Sequence, residues 1–182
     1  MVSRKPVEYS VVANEEARGA GAILRAGFGS VQFVGQKTGV LDLVTETDTA
    51  SEAWISRFVR DHFPGHGFLG EEGGQRAGKT GEPVWIVDPL DGTTNFAHGI
   101  PIFAVSIAVV QGGEVLAGVI YDPMRDELFS AAKENGATLN GSPLHVSDTN
   151  NLESCVVKIP DRRRAAHLRV RRRLSARWAG PV

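Results

Sequence analysis

The chain lacks the features of a membrane protein, a secreted protein or a disulfide-rich protein. Its 182 residues include one cysteine, Cys155, which excludes an internal disulfide and a site with several thiolate ligands, and we interpret it as a plain buried thiol. No apolar run approaches the ~20 residues that span a bilayer. The polar start MVSRKPVEYS also lacks the apolar middle of a signal peptide. We therefore expect a globular, cytoplasmic protein that does not associate with membranes.

Charge is unevenly distributed along the chain. Residues 1–160 contain 12 Lys and Arg against 20 Asp and Glu, whereas residues 161–182 contain eight arginines and one aspartate. The run RRRAAHLRVRRR has the charge to contact nucleic-acid phosphates, but no aromatic residue lies among the arginines to stack on bases. We therefore disfavour nucleic-acid binding. The alternative is a solvated helix face or a surface that a partner segment would cover.

Helical spacing of apolar residues predicts two helices in the first part of the chain. The first covers residues 8–26. The second follows a cap at Asp48, Thr49 or Ser51 and stops at Pro64 and Gly65. Its predicted inner face consists of Trp54, Ile55, Phe58, Val59 and Phe63. We interpret Trp54 and Trp85 as core residues.

Short apolar runs bounded by turn residues predict strands in most of the remaining chain. The runs are Val31–Val34, Val40–Val44, GFLG, VWIV before Asp88, Phe103–Val110, EVLAGVIYD, ELFSAA and ATLNGSPLHVS. A hairpin is expected at Gln111–Gly113. The pattern predicts an α+β fold in which two N-terminal helices pack on an antiparallel sheet.

The stretch WIVDPLDGTTNF places two aspartates three residues apart after an apolar run. Pro89 cannot donate a ladder hydrogen bond, so we expect the backbone to turn there and both carboxylates to face one point. Two such carboxylates repel each other unless a cation binds between them. Oxygen ligands favour Mg²⁺, Mn²⁺ or Ca²⁺ over zinc, and the Leu90 carbonyl is a further candidate ligand. The alternative is that Asp88 and Asp91 are ordinary turn formers.

Three neighbouring features support phosphate chemistry. Residues 92–95, with the sequence GTTN, resemble the entry to a short helix, where backbone N–H groups can bind a phosphate. GFLGEEGG ends another predicted strand at Glu71 and Glu72, and Glu71 is a candidate metal ligand. Asp48 is either the cap of the second helix or the partner of the Thr93 hydroxyl, and both roles are compatible.

The segment WIVDPLDGTTNFAHGIPIFAVSIAVV, with GEE and DLVTETD upstream, resembles the inositol monophosphatase family of Mg²⁺-dependent, lithium-sensitive phosphatases. The resemblance runs from about Glu8 to Ser147 and implies the layered α/β sandwich of the sugar-phosphatase type.

The resemblance assigns metal ligands, phosphate-binding groups and catalytic groups by position. The implied metal ligands are Glu71, Asp88, Asp91 and the Leu90 carbonyl. The implied substrate- and phosphate-binding residues are Glu71, Leu90, Asp91, Gly92 and Thr93. The implied catalytic residues are Glu71, Asp48 and Thr93. Lys37 falls on the family's mobile metal-site loop.

The implied activity is hydrolysis of inositol monophosphate, or a related small polyol or sugar phosphate, by a metal-activated water. The implied cofactor is Mg²⁺, with Mn²⁺ as a substitute. Other branches of the family act on histidinol phosphate, fructose 1,6-bisphosphate or 3′-phosphoadenosine 5′-phosphate. We also expect a homodimer. The family has a second domain that this chain lacks, and a core without that domain would expose apolar surface.

The sequence departs from the family in its last part. The family continues into a second α/β domain with a WDxAAG motif, whose aspartate completes the metal site, and this chain has no such motif. We therefore predict a metal- and phosphate-binding domain over residues 1–155, with residues 156–182 as an arginine-rich remnant or an aberrant tail. The alternative function is a catalytically weak binding fragment, or an interaction module.

Overall fold

The computed structural model describes residues 5–30, 33–36 and 43–151. The chain divides into two compact units, Met1–His145 and Val146–Val182. The first unit contains all the helices and strands described below, and of the second only residues 146–151 are described. Lys37, Cys155 and the predicted boundary after residue 155 lie outside the described ranges, so the interpretations made of them remain predictions.

The helices and strands follow the predicted order, including the short helix that residues 92–95 indicated. The additions are a two-residue strand, Gln75–Arg76, and a second strand within the run ATLNGSPLHVS. In chain order the helices and strands are α1 (Pro6–Gly27), β1 (Phe33–Gln36), β2 (Leu43–Thr45), α2 (Glu46–His62), β3 (Gly67–Gly70), β4 (Gln75–Arg76), β5 (Val84–Asp91), α3 (Thr93–Ala97), β6 (Ala104–Gln111), β7 (Glu114–Asp122), β8 (Glu127–Ala132), β9 (Ala137–Leu139) and β10 (Ser142–Leu144). Among the described helices, none is long and apolar enough to cross a membrane.

Eight strands form one sheet in the order β10-β9-β8-β7-β6-β5-β3-β4, and β1 pairs separately with β2. Every neighbouring pair is antiparallel except β3 and β5, which are parallel. The predicted hairpin is confirmed, because Gln111 pairs with Glu114 across two glycines of positive φ, 59° and 82°. Such a turn matches the twist of the strands it connects.

The core lies between one face of this sheet and the two long helices. Alternate residues of β5, β6 and β7 point into it, as the two-residue period of a strand requires. Trp85 is fully buried there, which confirms its predicted core position. From α1 the small residues Ala13, Ala17 and Ala20 are fully buried, so the helix lies close to the sheet. The α+β prediction, helices on a mostly antiparallel sheet, is therefore confirmed.

Two details of the second helix differ from the sequence-based expectation. Trp54 is 50% exposed, because its indole lies against Gly19 of α1 and donates a hydrogen bond to Glu16 instead of entering the core. The helix also begins at Glu46, which places Asp48 in its first turn rather than at the N-cap. The predicted cap at Asp48, Thr49 or Ser51 was therefore wrong, since all three residues lie inside the helix, and Asp48 has another role.

The buried face of α2 continues past its apolar residues into polar ones. Ile55 and Val59 are fully buried. Ser51 and Glu52 lie one turn before Ile55 on the same side of the helix and are 0% and 5% exposed. Asp48 lies two turns before Ile55 and is 1% exposed. We call Asp48, Ser51 and Glu52 the polar stripe of α2. Buried polar groups need hydrogen-bond partners, so this stripe must meet polar atoms of the sheet or its loops.

Glu16 of α1 is a second buried carboxyl, 6% exposed, whose Oε2 atom has no hydrogen-bond partner in the described part of the chain. Burial raises its pKa from 4.5 to about 7, and the neighbouring Glu15 adds to the rise. The Trp54 hydrogen bond and the charge of His62 oppose it. Because the folded-state pKa lies above the unfolded one, this group favours folding below pH 4.5. Its contribution is lost as the pH rises to 7.

We predict that Glu16→Gln removes this pH dependence. At pH 8 the variant should be more stable than the parent by on the order of 2 kcal/mol, because no carboxyl must be ionised in a buried position. At pH 4.5 the two proteins should differ much less. Urea unfolding at both pH values measures the difference, and Glu8→Gln, an exposed glutamate in the first turn of the same helix, is the control. Equal stability of the Glu16 and Glu8 variants at pH 8 would contradict the prediction.

Candidate active site

The two acidic segments meet because β3 and β5 run parallel. Gly70 pairs with Val87, and the Glu71 N–H extends the ladder by donating to the Val87 carbonyl at 3.1 Å. Parallel strands end at the same edge of a sheet. Glu71, the first residue after β3, therefore lies beside Asp88 on β5, and their side chains are hydrogen-bonded.

A bulge in β5 separates the two aspartates of the DPLD sequence. Asp88 pairs with Ser106 and Asp91 with Ala104, so β5 has one residue more than β6 over this interval. Asp88 Oδ1 accepts the Leu90 N–H at 3.1 Å and holds the bulge in shape. We had predicted that the strand could not continue past Pro89 as a regular ladder. The ladder is interrupted there, but pairing resumes at Asp91.

The pKa of Asp88 indicates whether the carboxylates of Glu71, Asp88 and Asp91 suit a bound cation. Burial, a hydrogen bond with Glu71, and repulsion from Glu71 and Asp91 together raise the pKa of Asp88 from 3.8 to about 7, although the Leu90 N–H opposes the rise. Burial and the neighbouring carboxylates therefore favour the protonated form of Asp88 when no cation is bound. A hard divalent cation would remove this repulsion, so these oxygen donors fit Mg²⁺.

The carboxylates do not form a complete metal cage by themselves. Within residues 5–30, 33–36 and 43–151, no group of three or more His, Cys, Asp or Glu side chains is arranged to hold a metal ion. The Leu90 carbonyl accepts the Thr93 hydroxyl at 3.0 Å and has a second lone pair available. The metal-ligand roles of Glu71, Asp88, Leu90 and Asp91 therefore remain predictions.

Asp48 and Thr93 meet as the sequence predicts. The Thr93 Oγ1 atom lies 3.3 Å from Asp48 Oδ1 and 3.0 Å from the Leu90 carbonyl oxygen. A hydroxyl has one hydrogen, so the two acceptors share it, and the Thr93 oxygen retains lone pairs for a further donor. Asp48 is 1% exposed, so its carboxylate acts within the protein rather than in solvent.

Gly92 begins the short helix α3 with a left-handed backbone, φ 99°. A Cβ atom at this position would lie 3.0 Å from the Ile102 carbonyl oxygen, so a side chain would be strained both by the backbone and by its neighbour. The N–H groups in the first turn of such a helix have no partner within the helix. The role of Gly92 and Thr93 as phosphate-binding amides remains a prediction.

The sequence analysis named Ser51 only as a possible helix cap and did not single out Glu52, although both belong to the polar stripe. The Ser51 hydroxyl donates to the Pro89 carbonyl at 3.1 Å, and Glu52 accepts the N–H groups of Glu72 and Gly74 at 2.6 and 2.7 Å. Helical spacing backwards from Ile55 and Val59 would have placed both on the inner face. A search restricted to apolar residues passes over them.

Comparison with known proteins identifies the relatives of this chain. A profile of the inositol monophosphatase family matches residues 5–176. The chain belongs to this family. Inositol monophosphatase 1 of Solanum lycopersicum is 48% identical over 148 residues, which are 80% of this chain and 54% of that protein. The family resemblance stated from the DPLDGTTNF and GEE motifs is thereby confirmed.

Solved structures of the family share the fold. An inositol monophosphatase of Thermotoga maritima superposes with a TM-score of 0.76 at 37% identity, covering 81% of this chain and 57% of that one. The suppressor protein SuhB of Bartonella henselae gives 0.72 at 42% identity, covering 78% and 54%. The chain thus spans about half the length of the relatives it matches. The family uses metal ions, including Mg²⁺.

We predict that Asp88→Asn and Asp91→Asn each weaken divalent-cation binding at least tenfold, because each removes a charged oxygen donor from the same place. Calorimetric titration with Mn²⁺ measures the affinity. Asp61→Asn, an exposed aspartate near the end of α2, controls for the loss of one negative charge. If both variants bind Mn²⁺ as tightly as the Asp61 control, these two aspartates are turn formers and not ligands.

Proposed function

We propose that this chain is the catalytic-site half of a Mg²⁺-dependent phosphomonoesterase. The substrate would be inositol monophosphate or a related small polyol or sugar phosphate. The observation that supports the proposal most strongly is the contact between Asp88 and Glu71 with Asp91 nearby, which places mutually repelling carboxylates at one sheet edge. Family membership adds the phosphatase class, since relatives at 43–48% identity are named inositol monophosphatases.

In this proposal each residue has a physical task. Glu71, Asp88, Asp91 and the Leu90 carbonyl would hold Mg²⁺, which supplies Lewis-acid polarisation of the phosphoryl group and lowers the pKa of a water. Gly92 and Thr93 would direct backbone N–H groups at the phosphoryl oxygens. Except for Glu71, which comes from the loop after β3, these groups lie within one bulge and the helix turn that follows it, so the local backbone fixes their mutual spacing.

The Thr93 hydroxyl and Asp48 would orient the attacking water. Thr93 donates its only hydrogen towards Asp48 or the Leu90 carbonyl, so its oxygen accepts a hydrogen bond from a water on the open side. Asp48 keeps that hydroxyl oriented from a buried position. Glu71, which is exposed, would take up the proton that the water releases. Histidinol phosphate, fructose 1,6-bisphosphate and 3′-phosphoadenosine 5′-phosphate remain alternative substrates.

The alternative is a fragment that binds cation and phosphate but turns over slowly. The chain spans about half the length of its relatives, and it lacks the WDxAAG motif whose aspartate completes the metal site in the family pattern. Loss of one stabilising group commonly lowers turnover by roughly 10²–10³-fold. Mn²⁺ and phosphate binding, with turnover that much below a full-length relative, would favour this alternative.

We predict that Thr93→Val lowers the rate of phosphate release from inositol 1-phosphate by about 10²-fold at saturating Mg²⁺, because the water loses its orienting hydroxyl. Mn²⁺ affinity should change much less than in the Asp88 variant. Thr94→Val is the matched control, since Thr94 is the adjacent residue on α3 and its side chain is exposed. Equal rates for the two threonine variants would remove Thr93 from the mechanism.

We also propose that the chain forms a homodimer through the sheet face opposite the helices, here called the outer face. Leu69 and Ile86 are cross-strand partners on it and are 44% and 42% exposed, and Ile120 and Phe129 are partners at 50% and 37%. The residues paired between them are Ala108, Gly118 and Ser106, which are uncharged, and Asp88, the partner of Ser106 on β5, borders this apolar part of the face. Two copies of the apolar part can pack together, as sheets do in sandwiches.

We predict that Ile86→Lys and Ile120→Lys each shift the chain from dimer to monomer, because a charge would be buried in the paired faces. Light scattering over a dilution series measures the mass. Val11→Lys is the control, since Val11 is 52% exposed on α1, away from the sheet. A parent protein that stays monomeric over the dilution series and binds no apolar dye would contradict the homodimer.

A further inference from the structure

The Glu52 carboxylate is buried next to the candidate site but has no part in the chemistry described so far. It is 5% exposed, and each of its two oxygens accepts one backbone N–H. Oε2 accepts from Glu72 at 2.6 Å and Oε1 from Gly74 at 2.7 Å. Short bonds of this kind to a carboxylate are among the stronger hydrogen bonds of proteins.

Both amides belong to the loop that carries Glu71. The Glu72 nitrogen is part of the peptide group that directly follows Glu71, so a bond to it restricts the backbone on which the Glu71 side chain is mounted. The Gly70 N–H also donates to the Gly74 carbonyl at 2.7 Å and closes the loop into a tight turn. A Cβ atom on Gly70 or Gly74 would collide with the Glu52 carboxylate, so the two glycines allow its close approach.

We propose that Glu52 is a positioning residue that holds the Glu71 loop so that Glu71 faces Asp88 and one divalent cation. This inference rests on the proposed function. A carboxylate suits the task because two N–H donors require two acceptors on one side chain. The amide of a glutamine offers one acceptor and would direct its own NH₂ group at the second N–H.

The polar stripe explains why this residue comes from α2. Glu52 lies one position after Ser51, whose hydroxyl holds the Pro89 carbonyl in the other acidic segment. Four positions before Glu52 is Asp48, which contacts Thr93. One rigid helix therefore bonds to each of the segments that carry the candidate ligands, and Glu52 provides the bonds to the segment after β3.

Calorimetric titration of the full chain with Mn²⁺ tests the proposal. Glu52→Gln should weaken Mn²⁺ affinity by 10–100-fold, the usual effect of losing a group that orients a metal ligand. Activity with inositol 1-phosphate, where the parent shows it, should recover at high Mg²⁺ concentration, which a general structural defect would not allow. Glu46→Gln, an exposed glutamate in the first turn of the same helix, controls for lost charge.

Hydrogen exchange separates this inference from the proposed function. In Glu52→Gln the amides of Glu72 and Gly74 should exchange faster, while amides of β6 and β7 stay protected. Mn²⁺ affinity equal to that of the Glu46 control would overturn the proposal, as would unchanged exchange at Glu72 and Gly74. If the parent binds no Mn²⁺, the proposed metal site fails, and the exchange result alone decides whether Glu52 holds the loop.

Glu52→Asp is the second variant, to be used if Glu52→Gln does not fold. Aspartate keeps the charge but reaches less far, so the Mn²⁺ affinity of this variant should fall by an intermediate amount. Mn²⁺ affinity equal to that of the parent would contradict the proposal.

Discussion

The parallel pairing of β3 with β5 is the constraint on which the candidate site depends. In an otherwise antiparallel sheet it brings two strand ends to the same edge, so Glu71 and Asp88 become neighbours although 17 positions separate them. Carboxylates in contact are unfavourable to folding unless they share a proton or a cation. The fold therefore keeps an electrostatically costly arrangement, which is more typical of a functional site than of a structural one.

The polar stripe of α2 holds the two acidic segments in place through hydrogen bonds from the helix side of the sheet. A helix face that buried only apolar residues would leave the bulge at Pro89 and the loop after Glu71 without side-chain partners. Asp48, Ser51 and Glu52 supply those partners from one side of one helix, so the two acidic segments are fixed relative to the same rigid element. Precision in such a site comes from the residues that hold the ligands as well as from the ligands.

Much of this organisation was predictable from the sequence. The two-residue and 3.6-residue periods predicted the long helices and the main strands, and the DPLDGTTNF motif predicted the contact between Thr93 and Asp48. The helical period places Glu52 on the inner face but could not predict its partners, because the amides of Glu72 and Gly74 come close only after β3 has paired with β5. The helical period also misplaced Trp54, whose exposure follows from a hydrogen bond to the other helix. Tertiary contacts decided both cases.

The outer face and the polar stripe show how differently the two sides of the sheet are completed. On the helix side every core position of β5, β6 and β7 is covered, and polar atoms at the sheet edge find partners on α2. On the outer side, Ile86 and Ile120 remain 42% and 50% exposed. Apolar surface of this kind lowers the free energy only when it is covered. Asp88 lies on the same side of β5 as Ile86, so whatever covers the outer face lies next to the candidate site.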